Sequence, residues 1–175
     1  MQIAYTMGAG RGDTDLLLFR LSQALIAEGL RPAGAVQINT ERCDGAPCDM
    51  DLKLLPDGAI IRISQSLGPE ARGCRLDPAA LEQAVGAIGT ALTTGADCLL
   101  VNKFGKHEAD GRGFRPVIAE ALSLDLPVLV GVNRLNAEAF LDFTQGVAVE
   151  LPPQDGALLD WVRDAYRVTR EVARA

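Results

Sequence analysis

Two short runs, "DCLLVN" (97–102) and "PVLVGV" (127–132), constrain the fold more than anything else in the chain. Each is continuously apolar rather than alternating. A strand of that kind needs cover on both faces, which a parallel sheet between two helical layers supplies. The rest of the chain has the matching rhythm. "QIAYTM" (2–7) and "PAGAVQIN" (32–39) read as strands, and "GVAVEL" (146–151) as the last one. Between them the spacing predicts helices from Asp13 or Thr14, as N-cap, to about Glu28, from Pro78 to about Thr94, from about Phe114 to Ser123 and near 136–143. Asp77 as N-cap and Pro78 at the first helical position mark the second of these. A final helix over 156–173 sets Leu158, Leu159, Val162, Ala165, Val168 and Val172 on one broad face. "MDLKLL" and "AIIRIS" flank "PDG" and form an expected β-hairpin at about 50–64, inserted into the pattern.

The expectation is one three-layer α/β domain over 1–175: a mostly parallel sheet with helices on both faces and an inserted hairpin. No repeat or linker interrupts it. Apolar residues make up 48% of the chain and aromatics only 5%, so the core is aliphatic. In such folds ligands bind beyond the carboxyl ends of the strands.

Charge narrows the ligand. The formal net charge is -6, which argues against general nucleic-acid binding. No apolar run approaches the roughly 20 residues of a membrane span, and no basic leader precedes an apolar segment. A cytoplasmic protein handling a small anion or another protein is expected, with a homo-oligomer left open. Against this acidity, "VNKFGKHEADGRGF" (101–114) stands out. Two of the three lysines, Lys103 and Lys106, lie in it with the single histidine, His107, and with Arg112; Arg115 follows. The segment from Lys103 to Arg115 carries a net +2. Lys supplies a mobile point charge and Arg a planar fork, a pairing suited to an oxyanion or phosphate. His107 is read as a hydrogen-bonding group helping to hold it. The competing reading is a solvated loop with local Lys–Glu pairs.

The first strand leads into Gly8, Gly10 and Gly12, and then Asp13 and Thr14. This invites a phosphate-loop reading, G-x-x-x-x-G-K-[ST]. Here Met7 stands for the first glycine and Asp13 for the lysine that reaches the β- and γ-phosphates. "CLLVN" ends in Asn102 where an acid would organise Mg²⁺. Both charged parts of a phosphoryl-transfer site are therefore missing from their expected places. The backbone around Gly10, Gly12, Asp13 and Thr14 can still cradle an anion at a helix N-terminus, or be a tight turn alone.

Cysteines 43, 48, 74 and 98 are read as free thiols. Cys98 lies in an apolar strand and is expected to be buried. Cys48 and Cys74 lie on either side of the hairpin, which can bring them together; a metal or activated-thiol site there is the minority reading, since Cys43-x4-Cys48 is not a zinc spacing.

The segments "CDMDL" (48–52), "SQSLGPEARGCRLDPAALEQAV" (64–85) and "NKFGKHEADGRGFR" together resemble a bacterial domain-of-unknown-function family often encoded beside molybdate ABC-transporter genes. That family is a distant relative of P-loop nucleoside-triphosphatases that lacks a working nucleotide loop. The resemblance spans nearly the whole chain. It implies a P-loop-like fold and a link to molybdenum, with molybdate or a nucleotide as ligand and a molybdate transporter or molybdoenzyme as partner. It implies no catalytic residue. The chain's own residues leave a weak or divergent nucleotide hydrolase or transferase as the rival to a binding protein.

Overall fold

The computed structural model describes residues 2–10, 12–40, 48–65 and 75–172. All of its strands join one seven-stranded sheet. β1 (Ile3–Thr6), β2 (Pro32–Thr40), β5 (Cys98–Phe104), β6 (Val128–Val132) and β7 (Val149–Leu151) run parallel. β3 (Asp49–Leu54) and β4 (Ile60–Arg62) are antiparallel additions at one end, giving the order β4-β3-β2-β5-β6-β1-β7.

The two runs that dictated a parallel sheet lie at its centre. Leu99, Leu100, Val101, Val128, Leu129 and Val130 are all fully buried. Their side chains alternate between two cores, one on each face. On one face α1 (Asp13–Ala27) and α6 (Asp155–Val172) cover the sheet, with Leu18, Leu21, Leu25, Leu158 and Val162 packed on Leu100 and Leu129. On the other, α2 (Pro78–Thr93), α4 (Arg115–Ser123) and α5 (Ala137–Phe143) bring Ile88, Ile118 and Phe140 onto Leu99, Val101 and Val130. Each such aliphatic side chain stabilises the fold by about 1.5–3 kcal/mol on burial. Asp77 caps α2 as its sequence predicts, accepting from Ala79 N–H at 3.0 Å and Ala80 N–H at 3.2 Å. No helix among the described residues is long and apolar enough to cross a membrane.

Three expectations change in detail, and the inserted hairpin proves to be part of the sheet: β3 pairs with β2 from Ala35↔Leu54 to Thr40↔Asp49, so the sheet continues through it. Its strand alternation explains this, because Met50, Leu52 and Leu54 face the α2-side core. The segment after β5 is not all loop. Lys103 belongs to the strand, and α3 (Lys106–Ala109) makes one helical turn. At α1 the N-cap is Gly12, in the left-handed region at φ 86°, with no side-chain cap. Asp13 and Thr14 sit inside the first turn, where their side chains reach back to the preceding loop instead. On α6 the apolar face is narrower than its pattern: Val168 is 47% exposed because the helix runs past the edge of the core.

Candidate functional site

Glu108 organises the segment after β5. Its carboxylate is 3% exposed and accepts from Gly105 N–H through Oε2 (2.9 Å) and from Phe114 N–H through Oε1 (3.2 Å). The charge is solvated by backbone amides in place of water, the condition on which a carboxylate can be buried. Gly113 makes room for it. A Cβ there would stand 2.1 Å from Glu108 Oε1, and φ is 62°. Glu82 on α2 takes the next contacts, accepting from Gly113 N–H (3.1 Å) and meeting His107 Nε2 (3.3 Å). The loop is thereby tied through Glu108 and Glu82, and Lys103, Lys106 and Arg112 take no part in tying it.

Those cations border a cleft of about 560 Å³ between the hairpin, the start of α2 and the end of β5. Lys103, Lys106, His107 and Arg112 line it; Met50, Leu52, Ile63, Leu76, Leu81 and Phe114 supply apolar walls. Among the described residues Lys103 and Lys106 make no ion pair. Among the described residues Arg112 reaches only Asp110, at 3.9 Å, with its side chain 63% exposed. Arg115 is not with them. Its guanidinium lies 4.4 Å over the Phe143 ring and donates to the Glu108 carbonyl at 3.4 Å, so it braces α5 against the loop.

The loop after β1 lines a different place. Gly12 borders a hollow of about 310 Å³ with Asp15, Leu16, Phe19, Gln37, Ile38 and Asn39. This hollow adjoins the cleft at Gln37, which lines both. In the first loop Gly10 N–H donates to Asp13 Oδ2 at 2.7 Å, and Gly8 N–H donates to the Thr14 hydroxyl at 2.9 Å. Asn102 is equally committed. Its Nδ2 donates to the buried Asp15 carboxylate at 2.8 Å, and its Oδ1 accepts from Gln37 N–H at 2.9 Å. Asn39 Nδ2 also donates to Asp15, at 3.3 Å.

Of the thiols, Cys48 is exposed and Cys98 buried. Burial, with the nearby Asp97 charge second, pushes the Cys98 thiol up to about 12. Cys43 and Cys74 lie outside the described residues, so the pairing of Cys48 with Cys74 does too. Among the described residues no group of three His, Cys, Asp or Glu side chains is placed to hold a metal ion. Arg75, next to Cys74 in sequence, donates to the Cys48 carbonyl at 3.2 Å and pairs with Asp49 at 3.4 Å.

Glu108, Glu82 and the Asp15–Asn102–Asn39 cluster escaped sequence reasoning. One signal for the first was present: Gly105 and Glu108 stand three apart at the start of a helix, the spacing at which a Glu reaches back to a cap N–H.

A family model described as "Protein of unknown function (DUF2478)" matches residues 3–161. A segment of the molybdenum import ATP-binding protein ModC 2 of Bradyrhizobium diazoefficiens is 35% identical over 165 residues. That match takes in 93% of this chain but only 18% of the length of the relative. Two solved structures share the fold. THEP1 from the hyperthermophile Aquifex aeolicus superposes with a TM-score of 0.62 at 14% identity, over 97% of this chain and 99% of its own. A human cancer-related nucleoside triphosphatase does so with a TM-score of 0.58 at 18% identity, over 99% and 96%. The mostly parallel seven-stranded sheet with helices on both faces is the architecture of those two structures.

Proposed function

The chain belongs to the DUF2478 family, and from that footing we propose that it is a binding protein for a small anion, acting in molybdenum homeostasis rather than turning over nucleotide. The observation that carries this reading is the set of uncompensated cations on the cleft: Lys103 and Lys106 without an ion pair among the described residues, and Arg112 held only at 3.9 Å. In a protein of net charge -6, an anion is the ligand such a rim attracts. Molybdate and a phosphate-bearing nucleotide are the two candidates. The molybdenum link is supported by the molybdenum-import relative and by the family resemblance.

The first loop supports binding over turnover. In place of a lysine reaching for phosphate, it has an Asp13 carboxylate that takes the Gly10 amide for itself. Thr14 takes the Gly8 amide, and Asn102 takes Asp15. Such a nucleotide loop is degenerate, and the residues there do not fit a magnesium triphosphate. His107 and Arg115 act as supports, one through Glu82 and the other through Phe143. A second reading is favoured by one finding: the matching part of the relative is a segment of a longer import ATP-binding protein. On that reading the chain is a cytoplasmic accessory partner of a molybdate transporter or molybdoenzyme.

Calorimetric titration with molybdate, tungstate, sulfate, phosphate, ATP and GTP tests the first reading. Lys106→Ala and Arg112→Ala each remove a charge-assisted hydrogen bond worth roughly 1.5–3 kcal/mol, which weakens the bound anion about ten- to a hundredfold. Melting temperatures stay unchanged, because exposed charges contribute little to stability. Equal affinities in wild type and both variants dismiss the site.

A further inference from the structure

We propose that the cleft beside Lys103, Lys106 and Arg112 takes an amphipathic organic anion: an apolar body ending in one carboxylate, sulfonate or phosphate-ester group. This rests on the reading of those cations as an anion site and specifies what the anion is attached to.

Size is the first argument. At about 560 Å³ the cleft falls in the range of small-molecule sites. One water takes about 30 Å³ of liquid, so a five-atom oxyanion leaves most of the space to water against apolar walls. The second argument is polarity. All three cations come from one segment, Lys103 to Arg112, at one side of the cleft. The facing walls come from β3, the end of the hairpin and the start of α2, and present Met50, Leu52, Ile63, Leu76 and Leu81. Apart from Phe114, which belongs to the cation-bearing segment itself, charge and apolar surface come from different elements, as in the ligand they would complement. The third concerns the remaining polar groups. Gln37 N–H and both ends of the Asn102 amide already bond within the protein, and the Glu108 carboxylate is held by backbone amides. They demand no polar body from the anion; the Asp110 carboxylate, also on the cleft, faces Arg112 at 3.9 Å, so the two lysines carry the excess positive charge.

Four probes separate the terms: naphthalene-2-sulfonate, methanesulfonate, 2-naphthylmethanol and sodium molybdate, each titrated into wild type, Lys106→Ala and Met50→Gln. Met50 is a half-buried wall residue, and Gln keeps its length while adding polarity. Naphthalene-2-sulfonate is expected to bind at least about tenfold more tightly than methanesulfonate or the alcohol, a gap of about 1.4 kcal/mol. Met50→Gln is expected to weaken it severalfold and leave methanesulfonate unchanged; Lys106→Ala is expected to weaken both sulfonates. If Met50→Gln melts well below wild type, Leu76→Gln on the same wall replaces it. Equal binding of the two sulfonates, or naphthalene-2-sulfonate binding indifferent to the wall variants, overturns the proposal. Molybdate binding that Lys106→Ala weakens, with no naphthalene-2-sulfonate binding, overturns it while the anion reading stands. No binding of any anion removes both.

Discussion

Replacing Glu108 by Gln changes one atom and removes one charge, with almost no change of shape. In the native protein one carboxylate oxygen accepts from Gly105 N–H at 2.9 Å and the other from Phe114 N–H at 3.2 Å, at a side chain 3% exposed. Gln can satisfy only one of these; its NH₂ must then face the other N–H, donor against donor. The surviving bond also loses its ionic character. A hydrogen bond to a charged group contributes about 1.5–3 kcal/mol, and an unsatisfied buried amide costs about 1–3 kcal/mol. Local relaxation recovers part of that, so a net loss of about 2–3 kcal/mol is expected. With a urea m-value of about 2 kcal/mol/M, the midpoint falls by about 1–1.5 M at unchanged slope. Asp110→Asn, two residues on and on an exposed side chain, serves as the control and stays within about 0.5 kcal/mol of wild type. A Glu108→Gln midpoint within about 0.25 M of wild type would refute the view that this carboxylate holds the loop together.

Three further outcomes follow from the same geometry. Asn102→Asp sets a carboxylate against Asp15, 2.8 Å from where an N–H now donates, and should lower stability by about 2–3 kcal/mol at neutral pH; a thermal melt at least as high as wild type contradicts the assigned network. Cys48 should alkylate readily in the folded protein while Cys98 resists. Only the thiolate reacts, and a group titrating at about 12 is ionised to about one part in ten thousand at pH 8; mass spectrometry after a timed pulse reads the difference, and equal labelling sinks it. With Asp13 bound to its own loop, no Mg²⁺-dependent ATP or GTP turnover at about 1 per second or faster is expected. A phosphate-release assay above that rate, lost on mutating Lys106 and Arg112, would make the protein an enzyme.

The central strands were readable because burial on both faces removes every polar residue from them, as in Leu99–Val101 and Val128–Val130. The cation-rich segment was readable because lysine is so scarce elsewhere. What escaped was pairing over long chain distances. Arg115 meets Phe143 through the docking of α5, and nothing local distinguishes it from Arg112. Glu108 looked like a counter-charge on a solvated loop, and only closure of the loop onto Phe114 makes it a buried acceptor. Asp13 and Thr14 looked like helix caps because their types favour that role. Gly12 in the left-handed region shifts the helix start by one residue and turns both side chains back. The β3–β2 pairing depends on a connection, 41–47, that local patterns leave open.

The two outermost strands, β4 and β7, are only three residues each. An exposed strand edge is a template on which another chain can add, and the hazard grows with the number of amides it offers in a row. Ile60 and Val149 are 62% and 52% exposed on these margins, apolar enough to be adhesive in a longer ladder. Here each margin stops before a run of such bonds can form. Among the described residues each margin therefore offers few backbone groups in a row, which limits edge-to-edge addition of a second chain without the closure of a barrel.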